Sequence, residues 1–290
     1  MGASHSYGAS SLGETSSATE QSISLYNENV CTVPLEILEE IFLNLPPHQV
    51  VCHCRLVCHE WKEIADSDSL WRERCKRERY RPCDSSRIPK DWRFFYFACK
   101  KRRNLIKNPR TVDGMKEWEI VQNGGHSWKI EDVMVPHPNG ARRNFVTSFG
   151  MCTKTQLIKL AREGYNASFM DQVQPDIRIS DWYAPRWDCG CEYTMSVQLL
   201  NQRQEVIQSF TPKTVHFDQW NDQKWNQMTH VFQNYGPGVR FIRFTHGGKD
   251  SQFWAGWYGI RVTDSCVEIC PAMDSTSPDA LLQSSLRMDT

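Results

Sequence analysis

Cys52, Cys54 and Cys58, with His48, His53 and His59 around them, offer the thiol and imidazole donors that zinc uses. Their spacing lacks the close pairs that zinc sites favour, and a helix accounts for them as packing residues, so no metal is expected. Cys189-Gly190-Cys191 has one residue between its thiols and reads as a tight turn with two small, partly buried side chains. Asp181, Asp188, Glu192 and Asp218 could form a carboxylate pair on folding, the arrangement that glycoside hydrolysis needs. Sequence does not fix their separation. There is no Gly-rich nucleotide loop, no HExxH, no nucleophile elbow and no zinc deaminase signature, so no catalytic residue and no cofactor is expected. What remains is non-covalent recognition. Asp181-Trp182-Tyr183, Trp187-Asp188, Trp220-Asn221-Asp222, Trp225-Asn226 and the run from Phe253 to Gly259 set aromatics beside Asp, Asn and Gly. A ring can lie on the C–H face of a sugar while a carboxylate or amide bonds its hydroxyls, which suits a neutral polar ligand. Core packing is the competing use for the same rings.

Two kinds of element must position these residues. After a polar, aperiodic stretch to residue 29, Pro34 fits a helix first turn with Thr32 as its cap, and Ile37, Leu38, Ile41, Phe42 and Leu45 recur at helical spacing. Pro46-Pro47 ends that helix. A second helix is predicted from Gln49 to Ala65, with Val50, Cys54, Val57, Trp61 and Ile64 on one face and Leu56 and Cys58 widening it. Leu70-Trp71 opens a third, through Cys75. A helical unit of about 50 residues is near the lower limit for a core of its own, so burial against a partner is expected. The aromatics of 93–97 read as a docking helix or strand, and Lys100-Lys101-Arg102-Arg103 as a solvated helix end. From about 110 the pattern becomes short alternating runs at 156–160, 177–183, 193–199, 205–210, 228–232, 239–245, 257–263 and 266–270, broken by turn residues. Such runs without long helices between them predict two packed antiparallel sheets.

Composition narrows the function classes. Lys plus Arg and Asp plus Glu are both 34, so no whole-chain field draws the protein to nucleic acid or an anionic membrane. No apolar run is long enough to span a bilayer, and the first 20 residues lack a signal-peptide core. A cytoplasmic protein with reduced thiols is expected, and the glycosylation spacing at Asn166-Ala167-Ser168 is expected to stay an unmodified loop.

Val33-Pro34-Leu35-Glu36-Ile37-Leu38, Ile41-Phe42, the run from Cys54 to Trp61 and Leu70-Trp71 together resemble an F-box. Asp181-Trp182-Tyr183, Asp188-Cys189-Gly190-Cys191 and the stretches His246–Asp250 and Gly259–Thr263 resemble the F-box-associated domain of the sugar-recognising F-box proteins. The resemblance implies a multidomain α plus all-β chain: a tail to 29, a three-helix F-box at 30–76, linker helices at 77–109, a jelly-roll-like antiparallel β-sandwich at 110–273 and a flexible tail at 274–290. It implies docking on the Skp adaptor, and through it on a cullin-RING ubiquitin ligase, by Pro34, Leu35, Ile37, Leu38, Ile41, Leu56, Val57, Trp61 and Trp71. It further implies capture of the di-N-acetylglucosamine core of N-glycans on misfolded glycoprotein clients by Phe149, Phe253 and Trp254, with Asp188 as polar partner. A sandwich that reads a protein surface without sugar is the alternative.

Overall fold

The computed structural model describes residues 33–82, 87–89, 91–271 and 273–275. The polar N-terminal tail, the Thr32 cap and residues 276–290 of the expected C-terminal tail lie outside the described residues. The chain divides after Asp66 into two compact units.

In the first unit, α1 (Leu35–Asn44) starts behind Pro34, and α2 (Pro47–Cys52) takes a proline as its first residue, where the missing N–H costs nothing. Leu38 and Phe42, one turn apart on α1, are buried, and Phe42 meets Trp61 edge-on at 5.2 Å. The continuous helix predicted over 49–65 is instead α2, a 3-10 turn at Cys54–Leu56 and α3 (His59–Asp66). The break falls at His53, whose φ of −125° leaves the helical region. Apolar residues keep their three-and-four spacing across it, so periodicity alone does not register it. The tighter turn leaves Leu56 and Val57 turned to solvent, and Arg55 Nε bonds Asp66 Oδ1 at 2.7 Å.

The second unit opens with α4 (Asp68–Arg77), β1 (Arg87–Pro89) and α5 (Trp92–Lys101). Ser67 and Asp91 cap the two helices by accepting from Leu70 N and Phe94 N. The 93–97 aromatics are helical, and Trp71 packs on Tyr96 and Phe97, each at 5.3 Å between ring centroids. Then follow β2 (Glu119–Asn123), β3 (Lys129–Asp132), β4 (Arg143–Val146), β5 (Cys152–Lys159), α6 (Ala167–Gln172), β6 (Asp176–Ala184), β7 (Cys191–Leu200), β8 (Val206–Phe210), β9 (Val215–Phe217), β10 (Asn226–Phe232), β11 (Phe241–Asp250), β12 (Arg261–Cys270) and β13 (Met273–Ser275). Asn166, the glycosylation-spaced residue, caps α6 by accepting from Phe169 N.

One sheet runs β10-β6-β12-β4-β3, the other β2-β5-β11-β7-β8 with β9 also on β7, and β1 pairs with β13. All these pairings are antiparallel. Tyr193, Met195, Val197 and Leu199 of β7 and Ile177, Ile179 and Tyr183 of β6 supply one shared core. The architecture is the sandwich that the alternation predicts. Two adjustments are needed. Residues 257–263 and 266–270 are not two strands: 253–260 is a loop, and β12 is one strand whose register shifts between Thr263 and Cys266, with Asp264 at φ +54°. Aromatics alternating with Gly and Ala imitated a strand there.

Candidate functional site

The loops after β4, β6 and β11 carry Phe149, Asp188 and the Phe253-Trp254 pair, and backbone hydrogen bonds stitch these loops together. Asp250 N donates to Ser148 O (3.0 Å), Ser251 N to Gly190 O (2.9 Å) and Gly259 N to Thr147 O (3.2 Å). The Ser148 hydroxyl donates to Gly256 O at 2.6 Å and accepts from His126 N at 2.9 Å, which adds the β2–β3 loop. That loop sits backbone on backbone: a Cβ on Gly150 would lie 2.5 Å from Gly125 N. The site therefore rests on a bonded frame rather than on independent loops.

On this frame Phe253 is 75% exposed and Trp254 38%. Phe149 supports Phe253 at 5.6 Å between ring centroids, and His126 meets Phe149 edge-on at 5.3 Å. Phe253 has a φ of +60°, unusual for an aromatic, and its N–H bonds Asp250 Oδ1 at 2.6 Å. Burial pushes the Asp250 carboxyl above its ordinary value, against hydrogen bonds from Phe253, Gln252 and Trp254 that lower it. Trp254 meets Tyr258 edge-on at 5.4 Å, and the Arg186 guanidinium covers Tyr258 at 4.6 Å. Arg186 Nε in turn donates to Asp188 Oδ1 at 2.6 Å. Asp188 is thus linked to Trp254 through Arg186 and Tyr258, and its Oδ1 is already engaged. Tyr258, Arg186, Asp250 and His126 were not among the expected site residues.

The other chemistry considered from sequence is placed elsewhere. Asp181 faces the core, where it accepts from Tyr193 (2.7 Å) and Ser265 (2.7 Å) and meets His246 Nδ1 at 2.5 Å. Glu192 lies by Lys249 (3.7 Å) and Asp188 by Arg186 (2.6 Å), so each of these carboxylates has a cationic partner. Cys189 and Cys191 are fully rather than partly buried, and burial pushes the Cys191 thiol up to about 12. Among the described residues no cluster of His, Cys, Asp and Glu could hold a metal, and no helix is long and apolar enough to cross a membrane.

Of the residues expected to meet the adaptor, Pro34, Leu35, Ile37, Ile41, Leu56 and Val57 are exposed and Trp61 is half-buried. Leu38 and Trp71 are buried. Ile37 and Ile41, one turn apart, form an exposed stripe beside the buried Leu38 and Phe42.

Residues 96–269 match the family model for the F-box associated region, and residues 30–77 match the F-box-like model. The chain belongs to the F-box-associated family of F-box proteins. This F-box protein is 46% identical to F-box only protein 6 of Bos taurus over 87% of its own length and 97% of that protein's. It is 41% identical to F-box only protein 44 of Homo sapiens (84% and 98% covered) and 40% identical to F-box only protein 2 of Bos taurus (82% and 83% covered). The residues that suggested an F-box and an associated domain thus identified the right family.

Proposed function

We propose that this F-box protein is the substrate-recognition subunit of an SCF-type cullin-RING ubiquitin ligase, and that its loop cluster captures the di-N-acetylglucosamine core of N-glycans on misfolded glycoproteins. The observation that carries the glycan reading is the exposed Phe253-Trp254 pair, backed by Phe149 and bonded through Asp250. Rings held open on a fixed backbone suit the apolar face of a sugar and lose little entropy on binding. The F-box and associated-region matches support the receptor role. The exposed apolar residues of α1 and the 3-10 turn are the adaptor-facing surface in this reading, and ubiquitin transfer belongs to the other ligase subunits.

Calorimetric titration of the full chain with di-N-acetylglucosamine tests the glycan assignment. Saturable binding that disappears in Trp254→Ala, with an unchanged melting temperature, is expected. No binding by folded wild-type protein at millimolar sugar overturns the glycan reading and leaves recognition of a protein surface.

A further inference from the structure

Trp187 and Trp220 stand at the edge of the same loop cluster, on the β6–β7 and β9–β10 connections, with ring centroids 5.0 Å apart and planes tilted by 49°. Their exposures of 45% and 66% are high for a contacting tryptophan pair. The backbone beneath them is tightly tied. Asn221 N donates to Trp187 O (3.1 Å), Asn221 Nδ2 to Arg186 O (2.7 Å) and to Asp218 O (2.9 Å), and Gln219 Nε2 to Asp188 O (3.0 Å). Trp220 itself is held at φ +65°, a conformation that costs a bulky residue energy and persists only where its surroundings impose it. Ordered backbone, local strain and two open indole faces together mark a recognition element rather than unpacked core.

The neighbourhood identifies the occupant. Trp187 lies in sequence between Arg186, whose guanidinium covers Tyr258 against Trp254, and Asp188, which bonds Arg186. The loop that carries Trp187 is therefore tied to the loop that carries Phe253 and Trp254, through Arg186 and Tyr258 and through the Ser251 N bond to Gly190 O. Asp218 is exposed on the same loop, and Asp222 is neutralised by Lys224 at 2.8 Å. Flat apolar faces beside one exposed carboxylate, which can accept from sugar hydroxyls, fit a neutral polyol. We infer that Trp187 and Trp220 form a second subsite that stacks on hexose units further along the same oligosaccharide whose core occupies the Phe253-Trp254 surface; this rests on the glycan reading above. The chain would then favour long glycans over the bare disaccharide.

The test is calorimetry on the full chain with two probes, di-N-acetylglucosamine and a high-mannose N-glycan oligosaccharide, for wild type, Trp187→Ala, Trp220→Ala and Trp187→Phe. Wild type is expected to bind the long probe about tenfold more tightly than the disaccharide, about 1.4 kcal/mol that the two rings supply together as a single stacking platform. Each alanine variant collapses that ratio toward about one while leaving disaccharide affinity unchanged, and Trp187→Phe, which retains a ring, restores most of it. Equal wild-type affinity for both probes, or a ratio unmoved by both alanine variants, overturns the second subsite while leaving the core site standing. Binding of neither probe overturns both readings. A change of oligomeric state in the alanine variants without a change of ratio makes the occupant a second copy of the chain and also overturns the inference.

Discussion

Lys154 Nζ lies 3.2 Å from the ring centroid of Trp118, fully buried between the sheets, with Phe145 at 3.8 Å and no hydrogen-bond partner among the described residues. Burial drives its pKa well below the ordinary lysine value, and Asp181 only partly offsets this. Lys154→Met removes the desolvation cost and keeps the length of the side chain, while Asp181 keeps its bonds from Tyr193, Ser265 and His246. A gain of about 1 kcal/mol, or about 2–4 °C in Tm, is expected by thermal denaturation. A lower Tm would mean that the attraction between Lys154 and Asp181 outweighs burial.

Asp250 shapes the aromatic loop without being part of its surface. Its Oδ1 holds the Phe253 N–H at 2.6 Å, next to the left-handed Phe253 backbone. Asp250→Ala is expected to weaken di-N-acetylglucosamine binding by about tenfold through loss of that constraint, whereas Asp250→Asn retains an acceptor and most of the affinity. Equal loss in both variants would point to the charge rather than to the turn.

Leu56 and Val57 are 74% and 61% exposed on the 3-10 turn of the first unit. Leu56→Asp with Val57→Asp is expected to abolish co-purification with the Skp adaptor and leave glycan binding unchanged, since neither side chain is in a core. Retained adaptor binding would move the docking surface off this turn.

Acid is expected to weaken the fold through buried imidazoles. His137, His230 and His246 are each held below the ordinary value of 6.5 by burial. A folded pKa below the unfolded one means that the unfolded chain takes up more protons on acidification. The stabilisation is complete above about pH 6.5 and is lost as pH falls toward the folded values. Tm should therefore drop between about pH 7 and about pH 5. His230→Phe keeps a ring against Phe210, where His230 stacks at 4.1 Å and 7°, but cannot be protonated. Its Tm should fall less over that range, and an identical fall would remove His230 from the account.

Legibility in the sequence followed one-sided burial. Tyr193, Met195, Val197 and Leu199 alternate cleanly because β7 has one face in the core. Glu119–Asn123 is exposed along its whole length and Lys129–Asp132 has no buried residue, so β2 and β3 carry no alternation to read. Asp181 drew attention as a possible catalytic carboxylate, although its place two residues after Ile179 and two before Tyr183 already put it on the inward face of β6. Phe149, Phe253 and Trp254 were reached through family resemblance, and the structure brings them together. Arg186 and Tyr258 were missed because their contact joins loops separated by five strands of intervening chain, β7 to β11, and no local pattern encodes it.

The order of strands in the smaller main sheet bears on how the polypeptide is made. Its middle strand, β12, is the last of the sheet's strands in the chain, and it alone joins the β10-β6 pair to the β4-β3 pair. While the ribosome is still adding residues before Arg261, those pairs have no shared neighbour, and the apolar faces of Ile177, Ile179 and Phe145 lack the strand that completes their sheet. Assembly of this layer is thereby deferred until β12 has been synthesised, an interval in which unpaired strand edges and apolar faces stay open to association with other chains.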